Sequence, residues 1–97
     1  MPLSRELAEA VGDVMLLLHT RVRGEAAPLL EAAVRRLAEV FSSEGASKET
    51  VLGVLRGLID QAVATADLTN PAIVRVVGEL ESRPLLICAE AYDRTQT

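Results

Sequence analysis

Few side chains in this chain have the type and spacing that chemistry requires. His19 is the single histidine and Cys88 the single cysteine. A metal site needs several nitrogen, sulfur or oxygen ligands at set intervals, and neither residue has such neighbours. Cys88 sits inside the apolar run Leu85–Ala89, where a thiol acts as packing rather than as a nucleophile. Arg56 and Asp60 stand four apart, which makes them an i,i+4 pair on a wet helix face. The 14 carboxylates are spread over polar helix faces, and no glycine-rich phosphate loop is present. The residues therefore assign no catalytic group, no cofactor and no metal.

The elements that would hold any site come from a chain of 97 residues, 49% apolar, 25% charged and 2% aromatic. That length and balance imply one helical domain over residues 1–97, and exclude a disordered chain or a disulfide scaffold. The apolar share is 15 Leu, 14 Ala and 11 Val, with only Phe41 and Tyr92 as rings. Aromatic side chains usually dominate core energetics, so the core is expected to be thin or shared with a partner. Nine Arg to one Lys, with many Ala, suggests a GC-rich bacterial genome. Net charge −4 disfavours a broad nucleic-acid surface but leaves a local basic patch open. The longest apolar runs are five residues, against about 20 for a membrane span. With no leader-like start, a cytoplasmic protein is expected.

Four helices are predicted at about 5–22, 27–41, 48–66 and 71–82. Ser4, Ser47 and Asn70 are their N-caps, with Pro28 and Pro71 in first turns. Leu7, Val11, Val14 and Leu18 share one stripe; so do Leu30, Val34, Leu37 and Phe41, and Val51, Leu55, Leu58 and Ala62. The third helix adds a second row of Leu52, Ile59, Val63 and Ala66. Its apolar arc then covers about half the circumference, more than the roughly 100° that one-sided packing needs, so this helix should be central or contact two neighbours. Pro84 should break or kink the last segment, giving a short fifth helix at about 84–92 or an extended strand. Short connectors and matched stripes predict an all-α, antiparallel up-down bundle of four helices with that fifth helix as a C-terminal appendage.

Three stretches resemble known families. His19-Thr20-Arg21-Val22-Arg23-Gly24 resembles the His-x-x-Lys-Gly signature of histidine phosphotransfer bundles, with base and glycine one residue late. That resemblance implies His19 as a phospho-acceptor. Leu55-Arg56-Gly57-Leu58-Ile59-Asp60 resembles a string in helical chorismate mutases, and implies Arg56 and Asp60 as site residues in a small enzyme. Leu68–Leu86 looks like the recognition helix and wing start of MarR-type winged helix-turn-helix regulators. It implies a DNA-binding unit over residues 58–94 in which Asn70, Arg75 and Arg94 face DNA; Pro84 stands where that pattern has glycine.

The apolar periodicity beyond one monomer's needs points to a self-associating protein-interaction or regulatory module, such as a homodimer. Leu16, Leu52, Ile59, Val63, Leu85 and Leu86 are its interface candidates. Gly53 and Gly57 lie four apart on the polar side of the third helix. Glycine costs a helix about 0.5–1 kcal/mol against alanine. Close approach of another chain and neutral drift both account for the pair.

Overall fold

A computed structural model describes residues 4–96 as an all-helical globule. Its helices are α1 (Arg5–Val22), α2 (Leu30–Ser43), α3 (Lys48–Val63), α4 (Pro71–Leu80) and α5 (Arg83–Thr95). No strand occurs among the described residues. Nor is any of these helices long and apolar enough to cross a membrane.

The helix starts follow the capping chemistry. Ser4 Oγ accepts the Leu7 N–H at 3.1 Å, and Ser47 Oγ accepts the Thr50 N–H at 3.2 Å. Asn70 Oδ1 accepts the Ala72 N–H at 3.0 Å, with Pro71 opening α4. Helix α2 differs from expectation. It begins at Leu30 rather than Ala27: residues 28 and 29 form a turn closed by the Leu30 N–H on Ala27 O at 3.0 Å, and Leu29 at the N-cap has no side-chain hydrogen bond to give.

Helices α1 and α2 end alike. Gly24 and Gly45 adopt φ of +86° and +81°. The Glu25 N–H reaches Thr20 O at 3.3 Å, and the Ala46 N–H reaches Phe41 O at 3.0 Å. These six-to-one bonds satisfy carbonyls that a helix end would otherwise leave open. Gly45→Ala is expected to destabilise by about 1 kcal/mol, since an L side chain disfavours that backbone region. A Cβ at Gly24 would also meet Ile73 Cδ1 at 3.3 Å, whereas one at Gly45 meets nothing within 4 Å. Gly24→Ala should therefore cost more than Gly45→Ala. Urea midpoints of the two variants check this, and equal losses would remove the Ile73 contact as a factor.

Ion pairs and grooves give the helix directions. Arg36 of α2 meets Asp13 of α1 at 3.1 Å, while Leu16 and Leu17 lie beside Leu29 and Ala33; α1 and α2 are antiparallel. Arg83 meets Glu31 at 2.8 Å near the starts of α5 and α2, and Thr95 meets Ser42 at 2.6 Å near their ends; these two run the same way. Lys48 at the start of α3 holds Asp93 near the end of α5 at 2.9 Å, so α3 and α5 are antiparallel.

Helices α1 and α5 each pack against both α2 and α3, which also touch one another. The bundle is thus α1, α2, α3 and α5, alternating up and down along the chain. Helix α5 was expected as an appendage, yet it takes the fourth place and packs mainly on α2. Helix α4 lies instead at one end of the bundle against α1 and α5. Proline explains the exchange. The Ser82 backbone departs from helix at φ −125° and ψ −54°, just before Pro84 opens α5. The chain bends there and turns α5 back along the bundle. Pro84, Cys88 and Ala91 face inward. Val14, Leu18, Val34, Leu37, Val51 and Leu55 are all 0% exposed and form the centre of the core.

Candidate protein-interaction face

The wide apolar arc of α3 is consumed within the chain. This helix contacts α1, α2 and α5. Ile59 is 2% exposed, and Leu52, Val63 and Leu85 are half-buried against the core. Ile59 therefore leaves the set of interface candidates: three in-chain neighbours cover the arc that one could not. Of the others, Leu16 and Leu86 are the most exposed, at 63% and 61%.

Leu16 does not stand alone. Leu29, 66% exposed, shares a groove with it between α1 and α2, floored by Leu17, Ala32 and Ala33. Met15 is also exposed, at 40%, but does not line this groove. Leu29 falls inside the helix expected at 27–41 but off its Leu30–Val34–Leu37–Phe41 stripe, where a single leucine is unremarkable. Its conspicuous position follows from α2 starting at Leu30 rather than Ala27.

The polar groups beside this groove are already satisfied. Thr20 Oγ1 donates to Leu16 O at 2.9 Å. Arg36 pairs with Asp13 at 3.1 Å and with Glu9 at 3.6 Å. Arg5 joins Glu9 at 3.8 Å, so two guanidiniums balance two carboxylates. Dehydrating a polar group is costly only where its hydrogen bonds are lost. Covering this face strands few of them.

The other sequence candidates are dispersed. His19 is half-buried. Arg56 and Asp60 are exposed near Glu81 and Leu85, and no ion pair joins them to one another. Asn70 spends its side chain on the α4 cap. Arg75 is exposed on α4, and Arg94 lies in the last turn of α5. The wing implied over residues 84–94 is helix. No group of three or more His, Cys, Asp or Glu suited to hold a metal comes together among the described residues.

Cys88 is 0% exposed, and burial pushes its thiol from 9.0 up to about 11. The folded state thus favours the neutral thiol. Its contribution to stability is complete below about pH 9 and is lost as pH rises toward 11. Cys88→Ala is expected to flatten that part of the stability–pH curve relative to the parent chain. Urea melts between pH 8 and pH 11 test it, and parallel curves would refute it. The same burial makes the thiol inert to aqueous alkylating reagents until the helix opens.

Comparison of the chain with protein-family models, with curated proteins and with solved structures gives no match.

Proposed function

We propose that this chain is a small all-α protein-interaction module that self-associates through the α1/α2 face and performs no catalysis of its own. One observation carries the reading: Leu16 and Leu29 are each about two-thirds exposed and converge on one groove. Scattered single leucines on a surface are ordinary. Two that share an apolar floor, rimmed by paired charges, match the anatomy of an interface core and its polar rim.

Sedimentation velocity across micromolar concentrations tests the reading. The parent chain is expected to associate. Leu16→Glu and Leu29→Glu should each weaken association by about tenfold or more, since buried anchors dominate interface energy. Circular dichroism should stay unchanged, because both side chains are exposed in the single chain. A parent chain that stays monomeric throughout would overturn self-association.

Binding to DNA has less support. The net charge is −4, the wing segment is helical, and Asn70 is engaged as a cap. A salt-dependent mobility shift with random duplex DNA would restore that alternative, because phosphate contacts dominate non-specific affinity.

A further inference from the structure

A second concavity lies where α4 bends into α5, beside the end of α1 and the start of α2. This cleft encloses about 150 Å³, a volume that accepts a guest of roughly benzene size. Its floor is Leu30, Val34, Leu80, Pro84 and Ile87. All but Ile87 are buried side chains.

The mouth is charged. Arg83 meets Glu31 at 2.8 Å, and Arg35 approaches the same carboxylate at 3.7 Å. Arg21 faces Glu79 at 3.9 Å, beyond hydrogen-bonding reach. Of the lining residues, Arg83 meets Glu31 and Arg21 faces Glu79, while Arg35, outside the lining, gives Glu31 a second cation. Arg21 has the most covered side chain of the paired arginines, at 32% exposure. Among the described residues its guanidinium makes no hydrogen bond. A planar guanidinium with open donors is suited to a carboxylate in two-point geometry.

We propose that this cleft binds small branched aliphatic monocarboxylates. The alkyl tail lies on the Leu30–Leu80–Pro84 floor, and the carboxylate bonds to Arg21. The site is independent of the α1/α2 face, so monomer and oligomer can both bind.

Amide chemical-shift titration of the full chain with 4-methylpentanoate tests the site, with 4-methylpentylamine as the charge-reversed control. Saturable shifts are expected around residues 21–34 and 79–87, at millimolar affinity. Arg21→Gln should weaken binding by about tenfold or more, the scale of one charge-assisted hydrogen bond. Ala27→Leu, which fills the cleft wall, should abolish it. Equal affinity for the amine, binding undiminished in both variants, shifts centred elsewhere, or no saturable shift would each overturn the proposal.

Discussion

Leu55→Ala is expected to destabilise the chain by about 3 kcal/mol, within the 2–5 kcal/mol range for emptying a packed leucine site. Leu55 is 0% exposed in the middle of α3, the helix enclosed by α1, α2 and α5. Several helices would have to shift to refill its volume, so little collapse can offset the cavity. The surrounding core is built mainly from Leu, Val and Ala, with Ile59, Cys88 and the ring of Phe41. A domain of this length has about 5–15 kcal/mol in total, so the change consumes a large fraction of it. Leu16→Ala is the internal contrast. Its side chain is 63% exposed, and its effect on the monomer should stay within about 0.5 kcal/mol. Urea midpoints measured below the association concentration separate the two. A Leu55→Ala loss under about 1 kcal/mol would mean that α3 is not enclosed as described.

That contrast shows where sequence is sufficient and where it stops. The stripe through Leu55 is periodic over three turns, and the caps at Ser4, Ser47 and Asn70 are chemically unambiguous. Helix existence and inward faces follow from those residues alone. Which helix completes the bundle does not. By spacing, Ile87 and Ala91 continue the Ile73, Val77 and Leu80 stripe of α4, but the bend at Ser82 redirects them, and a helical wheel contains no bends. The breadth of the α3 arc was likewise a true signal with two readings, a second chain or more neighbours in the same chain. Ile59 at 2% exposure selects the second. The groove was half legible. Leu16 is conspicuous on a polar face, whereas Leu29 gains its exposure from a helix start that only backbone geometry fixes.

Gly53→Ala together with Gly57→Ala is expected to stabilise the chain by about 1–2 kcal/mol. Each glycine lies inside α3, exposed, and a Cβ built on either meets nothing within 4 Å. Nothing in the single chain therefore requires the missing side chains. Alanine at such sites recovers about 0.5–1 kcal/mol each by limiting the unfolded backbone. For a domain of this size that raises the melting temperature by about 4–8 °C per kcal/mol. The same double variant decides why the glycines are there. Association through the α1/α2 face leaves this side of α3 in water, so the variant should associate as the parent does while melting later. Close approach of another chain at Gly53 and Gly57 would give the opposite pairing, with a more stable monomer and weakened association. That result would move the interface to α3, because two added methyl groups obstruct only a backbone that another chain closely approaches.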